Sequence, residues 1–264
     1  MYPQHGIPLS EETRFDPRGP KGKVRAETAN MLLDAMSSGK IAATICRAPE
    51  FYGPDKTKSF TNALVFDSIK KRKRPKVLLR ADTLRTLIWT PDASRAMALI
   101  GNTADAYHQT WHLPCDDNRL TYKQMIQYAS TICGREIRYK VLNKSSLLLA
   151  SLFNKQVSEL LELLPRYEHD NIFLSDKFKK TFPRFEVTGY KKGIEVLLKN
   201  NLHPGWMASH LPAVQSCCLL RDFYNNYWRM MKTCRQSGGL PIFLHSHDGG
   251  PNWQSIFYHN LPNP

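Results

Sequence analysis

Three things are scarce in this sequence, and each scarcity removes a class of protein. The 264 residues contain six cysteines and no Cys-x-x-Cys pair among them. Disulfide-framed secreted domains and zinc ribbons both need paired, regularly spaced cysteines, so neither class fits. Scattered cysteines read instead as small buried thiols in a reducing compartment. No apolar run approaches the ~18–20 residues that a spanning helix requires. The opening MYPQHGIPLSEE has neither the basic nor the apolar region of a secretory leader. A cytoplasmic chain with no membrane partner is expected. Acidic residues are the third shortage, 23 Asp+Glu against 37 Lys+Arg, for a formal net charge of +14.

What is present is globular in kind. Apolar residues make up 42% of the chain, too many for wholesale disorder. The run Lys70-Lys71-Arg72-Lys73-Arg74-Pro75-Lys76 puts six cations in seven residues. Such a cluster could hold a phosphate backbone or an acidic partner. No interleaved aromatics stand ready for base stacking, so a solvated loop is the favoured reading and nucleic acid the less favoured partner. A basic binding module built on 70–76 remains the alternative function.

Periodicity organises residues 1–200. The first twenty residues, rich in Pro and Gly, read as a loop, and Val24 to Met36 as a helix stopped at Ser37-Ser38-Gly39. IAATICRA reads as a buried strand ending in a turn at Phe51-Tyr52-Gly53-Pro54. A helix near 58–70, the basic loop and a VLL strand follow. LRTLIWTPDASRAMALIG is strand then helix, with Pro91 suited to the first helical turn. TWHLP is a strand, Thr121 an N-cap for YKQMIQYASTIC, Gly134 its stop, and IRYKVL another strand. One long helix is expected over 144–164 and a last one in GYKKGIEVLLKN. Alternating strands and helices predict an α/β fold with parallel strands.

Residues 201–264 differ. They hold no Glu, yet five of nine His, three of six Cys and three of five Trp, and only LLRDFYNNYWRMM has helical spacing. We expect two regions: 1–200, and an unpatterned extension, 201–264, foreign to it. His245-Ser246-His247-Asp248 looks metal-like, but no third ligand is apparent, so no metal site is expected.

The order of short motifs from Tyr2 to Asn200 resembles the C-terminal part of the NAD-dependent epimerase/dehydratase family, the extended short-chain dehydrogenase/reductases. Tyr2 with Pro8-Leu9-Ser10-Glu11-Glu12-Thr13 is similar to the loop leading to that family's active-site helix. Arg47-Ala48-Pro49-Glu50-Phe51-Tyr52-Gly53-Pro54 resembles its R-x-x-N-V-Y-G-P motif, and Arg85 through Asp92 its R-D-F-I-H-V-D-D segment. The ending Phe182-Pro183 to Ile194 fits as well. The resemblance implies the C-terminal part of a Rossmann-like, doubly wound parallel sheet with a small substrate-side α/β region. It implies NAD or NADP as cofactor and a sugar-nucleotide or small hydroxy/keto substrate.

Two departures stand against activity. No Gly-rich G-x-G-x-x-G turn occurs, so the first nucleotide-binding strands are expected to be absent and the chain truncated. The family's Tyr-x-x-x-Lys pair is also missing: one register puts Gly19 and Lys23 there, the preferred one Lys21 and Arg25. On the resemblance, Lys21 and Arg25 take the catalytic places, with Arg25 able to hold a ribose. Ala48 and Pro49 border the nicotinamide, and Glu50 and Arg85 face the substrate. Arg85 has a plainer reading as a surface ion pair, and Asp92 as a charge complementing a helix start. A second copy or another partner is expected to cover the exposed half-sheet.

Overall fold

The computed structural model describes residues 2–3, 6–17, 19–54, 57–153, 155–199, 242–244 and 254–259, the last two segments as backbone. Helix α1 (Pro20–Ser37) opens with Pro in its first turn, the position where a missing N–H costs nothing. It closes before Gly39, whose φ of 71° lies in the left-handed region that glycine adopts freely. Strand β1 (Ala42–Arg47) is buried at all six positions, which is why its sequence carries no polar alternation. It lies between two partners. One is β6 (Thr110–His112), parallel, with Ile45 opposite Thr110 and Arg47 opposite His112. The other is β10 (Gln254–His259), antiparallel, from Ala42 opposite His259 to Arg47 opposite Gln254. Strand β9 (Ile242–Leu244) pairs antiparallel with β10, completing the order β6-β1-β10-β9.

Three further pairs are short. Strand β2 (Glu50–Tyr52) runs parallel to β5 (Leu87–Trp89), and β3 (Lys76–Leu78) parallel to β8 (Lys140–Leu142). Strand β4 (Leu84–Arg85) pairs antiparallel with β7 (Leu120–Thr121). The fold is thus mixed α/β, with parallel pairs beside antiparallel ones. Helix α2 (Asp67–Lys70) follows a π-type turn at Asn62–Phe66, and α3 (Thr90–Gly101) follows β5 with Pro91 in its first turn. Helix α4 (Tyr122–Cys133) begins in a complete capping box: Thr121 Oγ1 accepts from the Gln124 N–H, and Gln124 Oε1 accepts from the Thr121 N–H. Gly134 at φ 61° ends it.

Four expectations need correction. Phe51-Tyr52 belong to β2 rather than a turn, because the backbone of Glu50–Tyr52 finds partners on β5. The strand read over 84–89 is two, changing partner at Thr86, where the N–H and Oγ1 both donate to the Asn171 carbonyl. Only 140–142 of IRYKVL pairs. The helix over 144–164 is broken into α5 (Lys144–Ser151) and α6 (Lys155–Leu161), which pack on each other. At the break Leu152 and Phe153 donate to Leu149 and Ala150, the tighter i→i−3 pattern that ends helices. Helices α7 (Pro165–Glu168), α8 (Asp176–Thr181) and α9 (Tyr190–Lys199) complete the described chain.

Apolar packing is divided. The largest cluster gathers Tyr52, Phe66, Trp89, Met125, Tyr167 and Ile194, joining the β2–β5 pair to α4 and α9. A second lies between β1, α3, β6 and α8, around Trp111 and Phe178. Met36, Ala43 and Ile45 form a third under α1. LLRDFYNNYWRMM and His245-Ser246-His247-Asp248 fall outside the described residues.

Candidate functional site

Ligands of open α/β sheets gather outside the carboxyl ends of parallel strands. Here those ends are Arg47 and His112, side by side on β1 and β6. The segment from Tyr2 to Phe15 crosses them. Arg47 Nη1 donates to the Tyr2 phenol at 2.7 Å and to the Glu11 carbonyl at 3.3 Å, and its guanidinium lies over the Phe15 ring. The His112 N–H donates to Glu11 Oε1 at 2.8 Å. His112 Nδ1 is 2.7 Å from the Leu174 carbonyl, which only accepts, so Nδ1 carries the proton. Nε2 must then accept, and the Tyr2 hydroxyl 2.7 Å away is its donor. Burial pushes the His112 pKa down to about 3, so the ring is neutral at ordinary pH. Burial raises that of Tyr2, against the lowering pull of Arg47. These bonds fix the N-terminal segment over the strand ends, while Arg47 Nε is buried without a hydrogen-bond partner.

One strand further on, Glu50 and Arg85 meet in the interior. Both side chains are 0% exposed, with Arg85 Nη2 3.9 Å from Glu50 Oε2. Glu50 Oε1 accepts from the Thr61 N–H (3.0 Å) and Thr61 Oγ1 (2.6 Å), and Oε2 from the Tyr167 hydroxyl (3.0 Å). The Thr61 proton goes to Glu50, so the Tyr122 hydroxyl at 2.7 Å donates to Thr61 Oγ1. Arg85 Nη1 donates to the Arg166 carbonyl at 2.6 Å, and the guanidinium stacks over the Tyr167 ring. Its Nε and Nη2 are buried without a hydrogen-bond partner. Burial drives the Tyr167 and Tyr122 phenols well above their ordinary range, with the Glu50 charge adding to it. The surface ion pair is therefore corrected: Arg85 is an internal cation.

The structure thus brings Glu50 and Arg85 together. Pro49 is buried and Ala48 half-buried, packed against the cluster between β1 and α3. Lys21 and Arg25 are half-buried, one turn apart at the head of α1. Beside them, a Cβ built on Gly19 would run into the Glu162 carboxylate, and the Gly22 N–H donates to Glu162 Oε1 at 3.3 Å. Asp92 does more than complement a helix: it accepts from the Thr188 N–H and Oγ1 and from Arg95, tying α3 to the segment before α9. Thr61, Tyr122, Tyr167 and His112 escaped the sequence reading. Their only signal was a hydroxyl or imidazole at an otherwise apolar position.

Solved structures share part of this fold. The chain matches UDP-glucuronic acid 4-epimerase from Bacillus cereus, in complex with UDP-glucuronic acid and NAD, with a TM-score of 0.59 at 14% identity. dTDP-glucose 4,6-dehydratase from Bacillus anthracis in complex with NAD matches at 0.55 and 13%. The fold is that of part of these enzymes. In both cases 76% of this chain is covered and 58% of the other, so the chain spans under two thirds of their length. UDP-N-acetylglucosamine 4-epimerase from Methanobrevibacter ruminantium matches at 0.55, with 15% identity, 78% of this chain and 58% of that one. No protein-family model matches the sequence, and no curated protein does so at a significant level.

Several of these neighbours hold a nicotinamide dinucleotide. The sequence has no Gly-rich turn to cradle a pyrophosphate at a helix N-terminus.

Proposed function

We propose that this chain is a non-catalytic relative of the sugar-nucleotide epimerases and dehydratases, built on part of their fold. The observation that carries the reading is at the head of α1. Proton transfer there needs a phenol of tunable pKa, worth ~10²–10⁴-fold in rate. This chain has Gly19 or Lys21 in that place, with Glu162 filling the space beside Gly19. Arg25, where a lysine would stand, stays protonated at any ordinary pH and cannot exchange a proton. In this reading Lys21 and Arg25 mark the place of the lost acid/base pair, and Ala48 and Pro49 the border of the lost nicotinamide site. Glu50 and Arg85 stand on the substrate side but serve as internal support. Buried, unpaired Cys46 and Cys115 favour a cytoplasmic setting, and burial holds the Cys46 thiol up at about 12.

Titration with NADH and NADPH, followed by tryptophan fluorescence, tests the reading. No saturable change is expected up to millimolar dinucleotide. Saturable micromolar binding, or turnover of a UDP- or dTDP-hexose with added NAD, overturns it.

A further inference from the structure

Two stretches distant in sequence, 69–78 and 135–142, lie side by side because β3 and β8 pair in parallel. Lys76 is opposite Lys140 and Val77 opposite Val141. Arg74 Nη2 donates to the Tyr139 carbonyl at 2.9 Å, and Arg135 Nη2 to the Ile69 carbonyl at 3.2 Å, which holds the basic turn onto the strand. Together 67–76 and 135–153 carry ten Lys or Arg and two acids. Those acids, Asp67 and Glu136, pair with Lys70 and Arg138. Lys71 through Arg74, Lys76 and Lys140 are exposed.

Exposed apolar side chains follow this charge directly along the chain. From β8 the chain passes through exposed Val141 into α5, where Leu148 and Leu149 are exposed, and on to Leu152 (73%) and Phe153 (87%). Of nine exposed large hydrophobics among the described residues, these five fall within 141–153. Scattered exposed hydrophobics need no explanation, but five within thirteen residues, entered straight from a basic strand, do.

We propose that this face docks on an anionic phospholipid bilayer, the cations on headgroups and Leu149, Leu152 and Phe153 at the acyl boundary. A nucleic-acid backbone would use the charge and gain nothing from aliphatic side chains held in water. A second copy of the chain would bring two basic faces together. Among the described residues no helix is long and apolar enough to cross a membrane. The contact is therefore peripheral, and it departs from the expectation of no membrane partner. That expectation rested on run length, whereas the basic part of this surface is assembled by strand pairing.

Vesicle co-sedimentation of the full chain tests it, with phosphatidylcholine vesicles against the same lipid containing phosphatidylserine. Binding is expected only with phosphatidylserine, falling more than tenfold between low salt and ~0.5 M salt as screening shortens the field. K71E/K73E/K140E and, separately, L152S/F153S are each expected to lose tenfold or more in binding with an unchanged circular dichroism spectrum. Binding only to DNA or RNA, binding indifferent to L152S/F153S, or self-association that F153S abolishes without any vesicle binding would each overturn the proposal.

Discussion

Arg85→Met isolates the buried pair at the centre of the fold. The guanidinium is fully enclosed, 3.9 Å from Glu50 Oε2, and donates to the Arg166 carbonyl. Methionine keeps much of the stem and removes the charge. Glu50 is then left as a buried anion with the Thr61 N–H, Thr61 hydroxyl and Tyr167 hydroxyl as its donors. Breaking a buried pair by removing one partner costs about 3–5 kcal/mol, most of it the stranded charge. Against a net stability of ~5–15 kcal/mol this is a large fraction. For a chain of this size it corresponds to a fall of about 6–20 °C in Tm. Neutralising the survivor should recover much of it. Glu50→Gln keeps an acceptor toward Thr61, so E50Q/R85M should be about 2 kcal/mol more stable than R85M alone. Urea unfolding of the four proteins of the cycle measures this coupling. R85M within ~1 kcal/mol of the parent, or a double variant no better than R85M, would refute the claim that the two charges depend on each other.

His112 supplies a pH dependence. Its folded-state pKa, about 3, lies below the ordinary value of 6.5, so between these limits the unfolded chain binds a proton that the folded chain does not. Stability contributed by the neutral ring is full above pH 6.5 and falls by up to ~1.4 kcal/mol per pH unit as pH drops toward 3. His112→Gln should flatten that slope in unfolding measured at pH 7, 6, 5 and 4, and an unchanged slope would assign it to other groups. Gly193→Ala places a Cβ 2.5 Å from the Tyr52 hydroxyl, itself buried and stacked on Tyr190. A loss of about 1–3 kcal/mol is expected in thermal unfolding, and a neutral outcome would mean the Tyr52 ring gives way freely. Thr121→Ala removes one half of the capping box on α4 and should cost about 1 kcal/mol by the same measurement.

Local chemistry was legible wherever one residue does the work. Gly39 and Gly134 end helices, Pro91 starts one and Thr121 caps another, because each acts within its own turn of chain. Partner choice was not legible. Nothing around Thr86 announces that the strand changes neighbours there, since the deciding acceptor is the distant Asn171 carbonyl. The motif around Glu50 and the Arg85 segment pointed to residues that do meet, but they are held by Tyr167 and Tyr122, which nothing in the sequence marked out. The broken helix after Ser151 likewise shows no proline or glycine. Its consequence is a run of bare apolar side chains at Leu148, Leu149, Leu152 and Phe153.

The strand at 254–259 bears on how the chain is made. β1 waits for a neighbour roughly two hundred residues downstream, a separation that is slow to close. At ribosomal speeds of ~5–20 residues per second, one edge of β1 stays open for about 10–40 s after its own synthesis. In that interval an apolar strand with unpaired amides and carbonyls faces the surroundings, a template for any other extended segment that arrives first. Yield of folded protein should therefore depend on how that edge is shielded during synthesis, as well as on the stability of the finished sheet.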